Sequence, residues 1–250
     1  MVKIILHGCS GRMGHIITDI CEKDKDTQIV AGVDAFGSAY AGFPVYRSLE
    51  ECPDADVIVD FSTASAVDGL LAYSVGKKIP VVVCTTGLSP EQTQMLTKAS
   101  GETAVLKSAN MSVGINLLEV LIAQAAPKLA AAGFDIEIVE KHHNQKLDAP
   151  SGTAIALAEA ANNARAGEYE FVYDRSQRRE KRPVKEIGLS AVRGGTIVGD
   201  HDVIFAGQDE VITLSHRAYS RAVFGKGAVE AAKFLAGKEA GFYTMHDVLG

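Results

Sequence analysis

The chain has 250 residues, 47% of them hydrophobic, enough to bury a sizeable core, and two domains are the expectation. A formal net charge of -6 gives no attraction to polyanions, and no Lys/Arg cluster is interleaved with aromatics, so nucleic acid is not an expected partner. Cys9, Cys21, Cys52 and Cys84 lack CxxC spacing and read as reduced, mostly buried thiols, not disulfides or zinc ligands.

The leading apolar run is too short for a signal peptide and no later segment approaches the length of a membrane span, which predicts a cytoplasmic protein with no membrane partner. Val2–Leu6, Ile29–Val33, Val57–Phe61, Pro80–Cys84 and Thr103–Leu106 predict strands, alternating with helical segments near Arg12–Lys23, Ala64–Lys77 and Glu91–Ala99. Four of the five runs are almost wholly apolar, as parallel strands covered on both faces are, so residues 1–112 read as an α/β, Rossmann-type doubly wound parallel sheet. After a predicted helix over Val113–Ala131 the pattern changes. Phe134–Glu140, Ile187–Val192, Asp202–Phe205 and Val211–Ser215 read as strands joined by turns such as Gly194-Gly195 and Gly207-Gln208-Asp209, which predicts a second α+β domain over 113–221 on an open mixed or antiparallel sheet. Between them the basic run Arg178, Arg179, Lys181 and Arg182 reads as a solvated loop. A last helix, about Ala222–Leu235, closes the pattern.

The first strand runs straight into Gly8-Cys9-Ser10-Gly11-Arg12-Met13-Gly14, a GxxGxxG turn ahead of helical periodicity. Glycines there let the backbone bend tightly and approach a pyrophosphate, whose charge meets the amides of a helix N-terminus, and a side chain at Gly11 would obstruct that approach. Asp34, twenty residues beyond Gly14 at the end of the second strand, is placed to accept hydrogen bonds from ribose hydroxyls. Ala35 supplies no cation for a 2′-phosphate, although Arg12 heads the helix, and NADH is expected to serve at least as well as NADPH. Asp60-Phe61-Ser62-Thr63, Cys84-Thr85-Thr86-Gly87 and Ser108-Ala109-Asn110-Met111-Ser112 follow the next strands, at the carboxyl ends where ligands bind in open α/β sheets; any of them could equally cap the following helix.

The segment Glu140 to Ala154 concentrates unusual chemistry between a strand and a helix. Pro150 suits the first helical turn, Asp148 or Ser151 can cap it, and free amides at Ser151, Gly152 and Thr153 then form a carboxylate site to which Lys146 adds a positive charge. His142 and His143 read either as metal ligands, completed by Glu140, Asp148 or His201, or as exposed loop residues. No metal is expected, since adjacent histidines of an extended segment do not readily turn to one ion.

Gly8 to Gly14 together with His142-His-Asn-Gln-Lys-Leu-Asp-Ala-Pro-Ser-Gly-Thr-Ala154 resembles the 4-hydroxy-tetrahydrodipicolinate (dihydrodipicolinate) reductase family. Asp60-Phe61, Thr85-Thr86-Gly87, Ala109 to Gly114, Arg193-Gly194-Gly195, His216-Arg217 and Arg221 fall in the family's order, so the resemblance spans almost the whole chain. It implies NAD(P)H-dependent reduction of a cyclic dicarboxylate in the diaminopimelate route to lysine. His142 would be the proton donor, Lys146 would bind a carboxylate and neutralise charge, Gly152 and Thr153 would hold a carboxylate, and His143 would be a supporting substrate contact. The cofactor would lie on Gly8, Cys9, Ser10, Gly11, Arg12, Met13, Gly14, Asp34, Phe61, Thr85, Thr86, Gly87, Ala109, Asn110 and Met111. The resemblance also implies that 222–250 completes the nucleotide domain 1–112, that the domains close over the ligands, and that the second domain's sheets assemble a homotetramer. Asn144, Gln145, Ala35 and Met111 stand where some members have Arg, His, a basic residue and an aromatic one. Rival readings are another amino-acid dehydrogenase and a redox-sensing dinucleotide-binding regulator; neither explains His, Lys and an anion-binding helix start in one segment.

Overall fold

β1 (Val2–His7) is apolar on both sides: Ile4 and Leu6 face one layer, Ile5 faces the other, and all three are fully buried. A strand can bury both faces only in the middle of a sheet sandwiched between helices. The computed structural model describes residues 1–35 and 42–250, and these form two units, Met1–Ser112 with Arg221–Gly250, and Val113–Ser220.

In the first unit α1 (Arg12–Cys21) leads from β1 to β2 (Thr27–Val33), with a two-residue β3 (Val45–Tyr46) at the edge. The chain then crosses back to β4 (Val57–Asp60), α2 (Val67–Lys77), β5 (Val81–Val83), α3 (Pro90–Ser100) and β6 (Ala104–Leu106). Residues alternate between layers along β4 and β5 as along β1: Val57, Val59 and Val82 pack on one face, Ile58, Val81 and Val83 on the other with Leu70 of α2 and Leu96 of α3. Because β1 lies between β2 and β4, successive units leave it in opposite directions, and the carboxyl ends of β1 and β4 flank the switch point where ligands bind in such sheets.

The second unit opens with α4 (Val113–Ala131), at the predicted bounds. It is followed by β7 (Asp135–His142), α5 (Gly152–Asn163), β8 (Glu170–Tyr173), β9 (Glu186–Arg193), β10 (Gly199–Ala206) and β11 (Val211–Ala218). The sheet order is β11-β10-β7-β9-β8, with β10 antiparallel to both neighbours and β7, β9 and β8 mutually parallel, so it is mixed. Burial alternates strictly along β7: Ile136, Ile138, Glu140 and His142 are buried on the side where α4 and α5 pack, against Leu118, Ile122 and Leu157. At 19 residues α4 is, by length and composition, long and apolar enough to cross a membrane, which corrects the expectation that no segment comes near that length; its Leu118, Ile122 and Ala126 are buried in this core.

The chain returns to the first unit as α6 (Ala222–Leu235), β12 (Gly241–Tyr243), which pairs in parallel with β6, and α7 (Met245–Leu249). α6 packs beside α1, and Ala228, Val229, Ala232 and Leu235 complete the layer holding Ile4 and Ile17. The first sheet thus has seven strands in the order β12-β6-β5-β4-β1-β2-β3, all parallel.

Three expectations change. β3, β8 and β12 are two to four residues long and sit at sheet edges, too short to show a period in sequence. Pro150 precedes the helix instead of joining its first turn, because Ser151 is the N-cap. Arg182 is no solvated loop cation: its guanidinium bonds Asp135 and Glu137, each at 2.8 Å, and the Ile136 carbonyl at 2.9 Å, fastening the loop to β7.

Candidate active site

The glycine turn is shaped first by the protein's own packing. Gly8 has φ +81°, and a Cβ there would stand 2.6 Å from the Phe61 carbonyl oxygen; one on Gly14 would stand 2.1 Å from that of Cys9. Gly11, the N-cap of α1, would meet only the Gly8 carbonyl, at 3.3 Å, so the outer surface of the turn is open where the first-turn amides emerge. No side chain caps this helix and no acidic residue occupies its first turn, which suits an anion. The Ser10 amide donates to Asp34 Oδ2 at 3.2 Å, holding that carboxylate against the turn. Cys9 differs from the other turn residues: its side chain is fully buried in the core, and burial pushes the thiol's pKa up, so it offers a ligand only its backbone.

Met13, Phe61, Thr85, Thr86, Ala109, Asn110 and Met111 line a cavity of about 360 Å³ together with Ser62, Cys84, Ser108, Arg221 and Phe224. Gly87 and Asp34 lie outside that lining. Phe224 was not foreseen, and Arg221 only as part of the family's order; α6 returns from more than a hundred residues away, and no local pattern announces that. Beneath the cavity Asp60 is fully buried, with His7 Nδ1 at 2.9 Å from Oδ1 and the Ser62 hydroxyl donating to the same oxygen at 2.6 Å. Burial pushes this carboxyl up, but His7, Ser62 and Thr85 outweigh it and hold the pKa below the usual range. Lys107 Nζ donates to the Thr85 carbonyl at 2.7 Å, and burial lowers its pKa.

In the second unit, the strand runs to His142, two residues beyond the predicted end, so the imidazole sits on a buried sheet face and not in a loop. His142 Nδ1 is 2.5 Å from Glu140 Oε2. Burial lowers the His142 pKa; Glu140 opposes that shift, and Lys146 and Arg193 add to it. His143 is half-buried, and its carbonyl accepts from the Lys146 amide at 3.2 Å in the turn that follows. Lys146 Nζ is 2.8 Å from Asp148 Oδ1, a contact that holds Asp148 below its usual pKa. Asp148 is therefore engaged with Lys146 and does not cap α5.

Ser151 caps α5 by accepting from the Ala154 amide at 3.1 Å. The sequence reading has the Ser151 amide open to an anion; the structure commits it to Glu140 Oε1 at 3.0 Å, and Gly152 and Thr153 begin the helix after it. Gly152 is exposed, and a Cβ there would meet nothing within 4 Å, so the fold itself does not require glycine at this position. His201 Nε2 faces the Ser151 hydroxyl at 3.1 Å, and its ring meets that of His142 edge-on at 5.2 Å. Among the described residues no three His, Cys, Asp or Glu side chains gather as a metal site. The anchoring contacts of Glu140 and Arg193 went unread, because strand register alone brings them to His142.

Residues 2–111 match the family described as dihydrodipicolinate reductase, N-terminus, and residues 114–249 match dihydrodipicolinate reductase, C-terminus. The chain belongs to the dihydrodipicolinate reductase family. It is 51% identical over 250 residues to a 4-hydroxy-tetrahydrodipicolinate reductase of Caldanaerobacter subterraneus subsp. tengcongensis, covering 100% of this chain and 98% of the relative. A reductase of the same name from Clostridium botulinum is 48% identical over 252 residues, covering 100% and 99%. Among solved structures, a dipicolinate-bound dihydrodipicolinate reductase from Paenisporosarcina sp. TG-14 superposes with a TM-score of 0.79 at 25% identity, covering 98% of this chain and 97% of that one. The chain is an oxidoreductase of this pyridine-nucleotide-dependent family of the lysine and diaminopimelate pathway.

Proposed function

We propose that the chain reduces dehydrated 4-hydroxy-tetrahydrodipicolinate to tetrahydrodipicolinate with NADH or NADPH, in the diaminopimelate route to lysine. The observation that carries this reading is the segment His142 to Thr153, which joins a buried imidazole, a lysine and a helix start whose Gly152 faces open space. Residues 1–112 with 222–250 serve as the dinucleotide-binding domain, and residues 113–221 bind substrate and assemble the oligomer.

The amides of Gly8 to Gly14 receive the pyrophosphate beside Gly11, Asp34 takes the adenine ribose, and Phe61, Thr85, Thr86, Ala109, Asn110 and Met111 surround the nicotinamide, with Gly87 a cofactor contact next to Thr86 in the chain. When bound, the reduced nicotinamide supplies hydride. Hydride and a proton together saturate one double bond of a conjugated imine. His142 gives that proton from Nε2, and Lys146 balances the electron density that builds on the substrate. One carboxylate rests on Gly152 and Thr153, with His143 a second contact. The unliganded His142 pKa lies below the usual value, and a dianion entering beside it raises the proton's affinity at the moment it is needed.

NADH serves at least as well as NADPH, since Ala35 offers no cation beside Asp34. A homotetramer is built on the sheet of the second domain, a reading supported by the family match over residues 114–249. Four free cysteines, three of them buried, support a reducing, cytoplasmic setting.

The test follows oxidation of each reduced nucleotide, with substrate generated in place from pyruvate and aspartate semialdehyde by the preceding synthase. Oxidation that depends on the synthase product and falls steeply in His142→Gln is expected. No oxidation by folded protein overturns the activity, and a kcat/KM for NADPH about tenfold higher overturns the cofactor preference.

A further inference from the structure

Glu140 has no task in the chemistry above, yet it is the most heavily engaged buried charge of the second unit. It is fully buried, and its carboxylate meets four nitrogen atoms of three residues. Oε2 faces His142 Nδ1 at 2.5 Å and accepts from Arg193 Nη1 at 2.8 Å; Oε1 accepts from Arg193 Nη2 at 2.7 Å and from the Ser151 amide at 3.0 Å. Three elements therefore end on one carboxylate: β7 through Glu140 and His142, β9 through Arg193, and α5 through its N-cap. Stability alone does not call for such a cluster. Desolvating a carboxylate and most of a guanidinium is costly, and apolar residues of similar volume commonly serve a core as well or better.

The arrangement does specify an imidazole. A carboxylate at Nδ1 holds the neutral ring with its proton on that nitrogen and leaves Nε2 to exchange protons. His142 Nε2 has no hydrogen-bond partner among the described residues, and the backbone beside it is Gly199, where a Cβ would stand 3.0 Å from that nitrogen. The charged and titratable groups around the ring are Glu140 on β7, Arg193 on β9, His201 on β10 and Lys146 in the following turn, the last paired with Asp148. Glu140 is the one anion among those four.

We propose that Glu140, clamped by Arg193, is a positioning residue that fixes the His142 tautomer and ties that ring to the first turn of α5, so that proton donor and carboxylate site are held as one piece. The proposal rests on the reading of His142 as proton donor. In the proton transfer the Nε2–H bond breaks as a C–H bond forms on the substrate. The N–H electron pair stays on Nε2, and the ring returns to the neutral form with Nδ1–H still on Glu140.

Steady-state kinetics of wild type, Glu140→Gln, His142→Gln and the double variant test this. Glu140→Gln should lower kcat about 10–100-fold, as loss of a carboxylate that orients a histidine does, with the KM for NADH within about twofold. Its alkaline limb in kcat/KM for the dicarboxylate should move to lower pH, because the anion that favours the protonated ring is gone. In the His142→Gln background the same change should cost at most about twofold, since residues acting as a unit are not additive. Multiplying losses with an unmoved limb overturn the proposal. Full activity in His142→Gln alone overturns the proton-donor reading, and the proposal with it, a result separable from the first. If Glu140→Gln leaves Arg193 unpaired and does not fold, ¹⁵N imidazole spectra of the wild type decide: a neutral His142 protonated on Nδ1 supports the proposal, and one protonated on Nε2 overturns it.

Discussion

Two glycines of the site make opposite demands on a methyl group. In a solvated helix Gly→Ala stabilises by about 1 kcal/mol. At Gly14 the added Cβ would stand 2.1 Å from the Cys9 carbonyl oxygen, part of the turn's own backbone, so a strain of about 1–3 kcal/mol should override that gain. Gly14→Ala should therefore lower the urea midpoint and weaken nucleotide binding together. Gly152→Ala meets no atom within 4 Å, so the fold should keep or raise its midpoint while the KM for the dicarboxylate rises. An unchanged KM would remove Gly152 from the carboxylate site. Lys146→Ala belongs beside these: its partner Asp148 is more than half exposed, so folding should be unaffected, turnover should be severely weakened, and NADH affinity should stay nearly intact by fluorescence titration. Loss of NADH binding in that folded variant would contradict the role assigned to Lys146.

At the scale of elements, the start of α5 shows what a cap does inside a site. The Ser151 hydroxyl accepts from the Ala154 amide and faces His201, and the residue is 2% exposed, so water cannot replace either contact. Ser151→Ala should cost about 1–2 kcal/mol in urea denaturation and lower dicarboxylate affinity, with NADH affinity unchanged; a change under about 0.3 kcal/mol would mean the cap is redundant. This cap was legible as one of two candidates, as were α4 and α6 to the residue, because long apolar periods and hydroxyl caps are local signals. The glycine turn and the residues of the His142 segment were legible for the same reason. What stayed hidden is set by pairing. Glu140 lies opposite His201 only through the register of β7 with β10, and Arg193, the register partner of His142, reaches Glu140 only because β7 and β9 run parallel. A one-residue slip would turn each of them to the other face, and sequence periodicity does not fix that choice between strands far apart in the chain.

For the whole molecule, the buried histidines make stability depend on acidity. His201 is 3% exposed, and burial, with His142 and His216 nearby, pushes its pKa down to about 4 from the usual 6.5. Below 6.5 the unfolded chain takes up a proton that the folded chain refuses, so stability present above that pH is lost as pH falls towards 4. The full loss from His201 alone is on the order of 3 kcal/mol, and His142 and His216, also lowered by burial, act in the same direction. Asp60 and Glu140 are held low instead, so their contribution disappears only at more acidic pH, outside most of this window. The urea midpoint should therefore drop between pH 7 and pH 5, a range in which ordinary carboxylates scarcely titrate, and His201→Gln should flatten the drop. A midpoint that stays level over that range would show that the histidine row admits protons without unfolding.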